Sequence, residues 1–452
     1  MKNLFIILSL LALTACKTSL KADESAQVTL GIIAPISDSV IESASIYEVN
    51  LRQYSPEGTI NAFTKDIPQL KQLGVDILWV MPFYPISVKD RKGTLGSYYA
   101  IQDYTKVNSN FGTLDDFKKL VETAHDNGLY VIIDWVPNHT GRDHVWLSAH
   151  PDFYVRDSTG KPLAPFDWTD VAKLDYSNPA MRKAMISAMS YWLKNADVDG
   201  FRCDVAGEVP TDFWDEATTQ LKQIKPIFML AEAEKAELMH KAFDMQYGWE
   251  AHHIFNSLAQ GKDQVKAWDA YIIKQDSLLE KDDILMNFTS NHDENSWNGT
   301  VFERMGAAAK TMAALSFATK GMPLIYNGQE YDMNKRLRFF EKDTIPQTKG
   351  VFYDFYTQLN GLKATYKALD GGKNAGNYTR LPTSNDASIL AFERSKEGDT
   401  ITFIANLTGK KLSFKTNLTG NYTDVLTKTP LALQNSKALT FEPWEFHFLV
   451  KK

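Results

Sequence analysis

Asp199-Gly200-Phe201-Arg202-Cys203-Asp204-Val205 is the stretch that decides the fold. It reads as a buried parallel strand whose last residues surface at the end of a barrel. Side chains alternate along a strand, so Arg202 and Asp204 share one face and Cys203 packs on the other. A fixed guanidinium beside a carboxylate favours its ionised form, which a nucleophile requires. A structural ion pair at a strand end would use the same two residues, so the flanking sequence has to discriminate.

Outward from this run, short β-branched or apolar segments alternate with amphipathic helices, the pattern of a parallel α/β fold. Strands are expected at 46–49, 76–80, 130–134, 200–205, 227–232, 243–247, 284–290 and 323–326, the number a (β/α)8 TIM barrel requires. Phe63, Ile67 and Leu70 suggest one helix ending at Gly74, and Thr113 with Asp116 has capping-box spacing for another. Asn178-Pro179 caps and opens a helix through Leu193. Residues 140–176, rich in Pro, Asp, Gly and aromatics, form a short excursion after strand three. The barrel is expected over 45–370. Beyond Gly371-Gly372 the period becomes two, so residues 375–452 are expected to form an all-β sandwich domain.

Composition narrows the class. The 452 residues are 44% hydrophobic and 23% charged, which suits a globular chain of more than one domain. A net charge of −6 without long Lys/Arg runs offers no surface for nucleic acid. Residues 1–15 have the charged start and short apolar run of a signal peptide, and Leu13-Thr14-Ala15-Cys16 resembles a bacterial lipobox. Cys16 is therefore expected to carry a lipid, with 16–44 as a tether and the bacterial cell envelope as location. With Cys16 so used, Cys203 has no disulfide partner.

Barrel enzymes carry their chemistry at the carboxyl ends of strands. Here strand three ends in Asp134 through His139, strand four in Arg202 and Asp204, strand five in Glu232, and strand seven in Asn291-His292-Asp293. Ionisable groups closing four apolar runs would be costly in a core but make sense around one site. Two carboxylates, one ionised and one protonated, suffice to break a glycosidic bond. Asp204 suits the nucleophile and Glu232 the proton donor, with Asp293 raising the pKa of Glu232. Adjacent strands about 4.8 Å apart place such ends near the roughly 5–5.5 Å gap of retaining enzymes.

These segments resemble, in order, the four signature regions of glycoside hydrolase family 13, the α-amylase family. The likeness extends to Leu78 through Pro82, Tyr99 through Tyr104, and Gly321 through Glu330. It implies a TIM barrel, a domain B excursion and a C-terminal β domain. It also implies Asp204 as nucleophile, Glu232 as acid/base and Asp293 as transition-state stabiliser. Tyr99 is implied to stack on the sugar beside Arg202, His139 and His292. The expected substrate is an α-glucan, cleaved by endo attack at α-1,4 links, with no cofactor. The alternatives are an α-glucan transglycosylase or α-glucosidase on the same residues, and a non-catalytic, lipid-anchored glucan-binding protein.

Many members hold calcium between barrel and domain B. Here Asn138 is kept, but Lys173 and Glu208 stand where an Asp and a His are usual. An ammonium cannot ligate Ca²⁺, so the site is expected to be metal-free. Lys173-Leu174-Asp175 and the run Asp204 through Val209 lean toward the neopullulanase and cyclomaltodextrinase branch, whereas Ala231 and Glu234 depart from it.

Overall fold

The computed structural model describes residues 33–434 and 437–452. The lipobox, Cys16 and the start of the tether lie outside the described residues. Ten strands precede the C-terminal region. They are β1 (Ile46–Val49), β2 (Ile77–Val80), β3 (Tyr130–Trp135), β4 (His139–Gly141), β5 (Val171–Lys173), β6 (Gly200–Cys203), β7 (Phe228–Ala231), β8 (Met245–Tyr247), β9 (Ile284–Phe288) and β10 (Met322–Tyr326). All but β4 and β5 close a parallel barrel in the order β1-β10-β9-β8-β7-β6-β3-β2. This is the expected TIM barrel, with every anticipated strand present.

Period two sorts the barrel's core. Ile46, Trp79, Ile132, Leu230, Tyr247 and Met286 pack together inside, while Tyr47, Leu78, Val131 and Met229 pack with the surrounding helices. Register then fixes the site. Asp134 pairs with Arg202 across β3/β6, and Cys203 pairs with Ala231 across β6/β7. One residue on, Asp204 and Glu232 leave adjacent strands at the same level. Gly200 makes this possible: its φ is +155°, and a Cβ there would lie 1.9 Å from the Phe228 carbonyl oxygen.

Local signals explain the helices. Thr113 and Asp116 form the reciprocal capping box of Leu114–Asp126. Asn178 accepts from the Ala180 and Met181 amides at the start of Pro179–Ala196, one turn longer than expected. The single helix expected before Gly74 is instead two, Ile60–Thr64 and Ile67–Leu73. Pro68 is the cause, since it lacks an N–H and its ring would clash with the Thr64 carbonyl. After β3 the chain makes its excursion, in which β4 and β5 pair antiparallel and His139 faces Lys173.

At the C-terminus, β11 (Asn377–Arg380), β12 (Ile389–Lys396), β13 (Asp399–Asn406), β14 (Leu412–Phe414), β15 (Gly420–Asp424), β16 (Pro430–Leu433), β17 (Leu439–Phe441) and β18 (Phe446–Lys451) are antiparallel. Six make one sheet, in the order β11-β12-β13-β18-β15-β16, and β14 pairs with β17. Ile389, Ala391, Ile404 and Leu449 from the large sheet pack with Phe414 and Phe441 from the small one. Leu390, Phe392, Phe403 and Phe448, on the other face, join the main core. No helix among the described residues is long and apolar enough to cross a membrane.

Candidate active site

The carboxyl ends of the barrel strands open into a cleft of about 430 Å³, lined by Tyr99, His139, Asp204, Glu232, His292 and Asp293, among others. Six of the seven residues expected around a sugar thus share one cavity. The seventh, Arg202, is fully buried beneath them.

Arg202 does more than the sequence suggested. Its Nη1 donates to Asp134 Oδ1 at 2.9 Å and to Asp204 Oδ1 at 3.0 Å. Nη2 stands 2.8 Å from Glu232 Oε2, and Nε donates to the Tyr247 hydroxyl at 3.2 Å. Its carbon also lies 4.9 Å from the Trp79 ring centroid. One guanidinium therefore holds three carboxyl groups from three neighbouring strand ends.

That sharing governs the titration of the reacting pair. Burial and the charge of Glu232 push the Asp204 carboxyl well above the usual range, against the pull of Arg202. Burial also acts to raise Glu232, but Arg202, the Val205 amide at 2.9 Å and a hydrogen bond with Asp204 outweigh it and hold Glu232 low. The two acids titrate as a unit. Asp204 is thus shifted up and Glu232 down, the reverse of the order a first chemical step requires. The main influences on Glu232 are burial, Arg202, the Val205 amide, His292 and Asp204, with no leading part for Asp293.

A second network joins the opposite side of the barrel. His292 Nδ1 lies 2.5 Å from Glu48 Oε1, and its Nε2 lies 2.8 Å from the Tyr99 hydroxyl. Burial disfavours the imidazolium, but Asp293 and Glu48 overcome this and raise His292 to about 9. The Tyr99 hydroxyl donates to Asp134 Oδ2 at 3.1 Å, and its ring stacks on His292 at 5.4 Å. Asp134, which burial raises to about 6, also accepts from Trp79 Nε1. By contrast, burial drops His139 to about 3, so it is a neutral hydrogen-bonding ring.

Glu48, Tyr247 and Trp79 belong to this constellation and were missed by sequence reasoning. Glu48 left a signal, as a lone carboxylate inside the apolar run Ile46-Tyr47-Glu48-Val49. Its partner lies 244 residues away. Trp297, Phe339 and Trp168 also wall the cleft.

A model of the α-amylase catalytic domain matches residues 42–351. The chain belongs to the α-amylase family. It is an enzyme of glycoside hydrolase family 13, whose relatives include hydrolases and transglycosylases. α-Amylase 3 of Dictyoglomus thermophilum is 25% identical over 81% of this chain and 85% of its own length. A cyclomaltodextrinase of Thermoanaerobacter pseudethanolicus is 25% identical over 77% of this chain and 63% of its own. An α-amylase of Haloarcula japonica is 25% identical over 80% of this chain but 56% of its own. The chain thus spans little more than half the length of two of these family relatives.

Among solved family structures, a noncanonic maltogenic α-amylase from Thermotoga neapolitana superposes with a TM-score of 0.84. It is 29% identical, over 91% of this chain and 99% of its own. An α-amylase from Lactobacillus plantarum superposes at 0.82 with 31% identity, over the same shares.

The residues around Asn138 do not suit the calcium that many family members hold. The Asn138 carbonyl accepts the Leu174 amide at 3.1 Å, and its side-chain amide faces His139 Nδ1 at 3.3 Å. Lys173 brings an ammonium group, and Glu208 is exposed. Among the described residues no three His, Cys, Asp or Glu side chains are grouped to hold a metal.

Proposed function

We propose that this chain is a retaining α-glucan hydrolase that cleaves α-1,4-glucosidic bonds by endo attack, with Asp204 as nucleophile and Glu232 as acid/base. The observation that carries this reading is the grip of one guanidinium on both carboxyl groups, at 3.0 and 2.8 Å. Two acids so close leave no room for the water of an inverting mechanism, which needs about 6.5–9.5 Å. The names of the relatives, amylase and cyclomaltodextrinase, support the substrate class.

In the first step the Asp204 carboxylate attacks the anomeric carbon. The glycosidic C–O bond breaks as Glu232 delivers its proton to the departing oxygen. In the second step Glu232 takes a proton from water, whose oxygen attacks the same carbon and releases Asp204 as carboxylate. Asp293 and the His292 imidazolium face the positive and hydroxyl-bearing parts of the sugar respectively. Transfer to a sugar hydroxyl in place of water uses the same residues.

Proton NMR of maltohexaose digestion tests retention. The α-anomer is expected first, and initial release of the β-anomer would overturn the reading. Loss of iodine staining ahead of reducing-end release from amylose tests the endo component. We further propose lipid anchorage at the cell envelope, supported by Leu13-Thr14-Ala15-Cys16. Cys16→Ser should release the protein from the membrane fraction, and an unchanged distribution would refute anchorage.

A further inference from the structure

Trp297 is the feature of the cleft that the proposed chemistry leaves unused. It lies on a five-residue turn of π-helix, Glu294–Asn298, directly after Asp293. Such turns are uncommon and often sit at functional sites. Its indole is 53% exposed, the only tryptophan among the large exposed apolar residues described. Exposure here serves no packing purpose, because burying the ring would be favourable.

Contacts with Asp293, Phe339 and Phe340, the last at 5.8 Å between rings, define its position. Trp297 Nε1 donates to Asp293 Oδ1 at 3.2 Å. Its ring meets Phe339 at 5.2 Å, and Phe339 lies nearly parallel to Tyr99 at 6.3 Å. Tyr99 in turn stacks on His292. A row of rings therefore runs from the reaction centre out along the cleft to Trp297. The acid must stand beside the leaving group, so Glu232 on β7 marks the aglycone side. The row runs away from β7, with Trp297 on the loop after β9 and Phe339 and Tyr99 on the loops after β10 and β2, three strands from β7, and so marks the glycone side.

We infer that Trp297 is a specificity-determining residue, whose exposed face stacks a glucosyl unit beyond the cleaved one while its N–H holds Asp293 in position. The inference rests on the α-glucan reading. It deepens that reading by requiring substrates long enough on the glycone side to reach the indole.

Trp297→Phe keeps a ring but loses the N–H. A hydrogen bond to a charged group is worth enough that kcat should fall about tenfold or more, with KM for maltohexaose nearly unchanged. Trp297→Leu also loses the face, so KM for maltohexaose should rise about two- to tenfold. The KM of a short aryl α-glucoside should stay constant. Thermal midpoints should match the wild type, since the side chain is half exposed. Unchanged kcat in Trp297→Phe overturns the positioning role, and an equal KM change for long and short substrates overturns the platform.

A measurement without substitution at this position guards against misfolded variants. N-bromosuccinimide oxidation of Trp297 in Asp204→Asn protein, mapped by peptide mass, should be blocked by maltohexaose and not by glucose. Oxidation that maltohexaose leaves untouched would overturn the platform. Wild-type protein that does not act on maltohexaose at all would instead defeat the α-glucan reading.

Discussion

Replacing Glu232 by glutamine separates its two influences, as proton donor and as a negative charge beside Asp204. Both acids sit on one guanidinium, at 3.0 and 2.8 Å, and the two acids of a retaining pair stand about 5 Å apart. At an effective dielectric of about 20, unit charges at that distance repel by about 3 kcal/mol, or about 2 pH units. The charge of Glu232 is among the main causes that raise Asp204. Asp204 must be ionised to attack, so the active form exists above its pKa. Removing the neighbouring charge lowers that pKa and moves the acid limb of kcat/KM toward lower pH by about 2 units. The assay is the pH profile on α-maltosyl fluoride, whose leaving group needs no acid. On this substrate Glu232→Gln should remain active with the shifted limb. On maltohexaose, which needs the acid, kcat should fall about a hundred- to ten-thousand-fold. An unshifted limb would refute the coupling, and equal losses on both substrates would refute the assignment of Glu232 as the acid.

Glu48→Gln should lower the pKa of His292 from about 9. A raised folded-state value stabilises the protein fully below pH 6.5 and is lost as pH rises through 9. The pH-dependent part of the wild type's advantage, up to about 3 kcal/mol, should therefore shrink across that window in denaturant melts of the two proteins. Lys363 is buried, donates to the Leu369 carbonyl at 2.9 Å, and is lowered by burial to about 7. Its unfolded form keeps the proton up to about 10.5, so its contribution should rise between pH 7 and 10.5, by up to roughly 5 kcal/mol. Lys363→Met should lack that rise, and a parallel rise in both proteins would refute it. Gly200→Ala would drive a Cβ to 1.9 Å from the Phe228 oxygen. It should destabilise the barrel by about 3 kcal/mol or more, read as a lower urea midpoint.

The barrel was legible because its signals are local. Period two, glycine stops and caps such as Thr113–Asp116 are written within a few residues of what they specify. The helix before Gly74 was misread because helical spacing of Phe63, Ile67 and Leu70 continues smoothly across Pro68, although its hydrogen bonds cannot. The site was legible where a charged residue ends an apolar run, as at Asp204, Glu232 and Asp293. Glu48 and Tyr247 escaped because their roles depend on ring closure, which brings β1 to β9 and β8 to Arg202. Trp297 escaped because one aromatic after Asp293 looks like core until its exposure is known.

The composition of the cluster explains why its buried acids resist ionisation. Glu48, Asp134, Asp204, Glu232 and Asp293 surround two cations, Arg202 and His292. Glu48, Asp134 and Asp204 are buried, and carboxylates crowded together in such a space resist full ionisation. Burial accordingly raises Glu48, Asp134 and Asp204. Which acid of the reacting pair carries the proton depends on which one Arg202 and the Val205 amide face. Arg202 reaches both acids and the Val205 amide faces Glu232, so Glu232 is held low while burial and the charge of Glu232 raise Asp204.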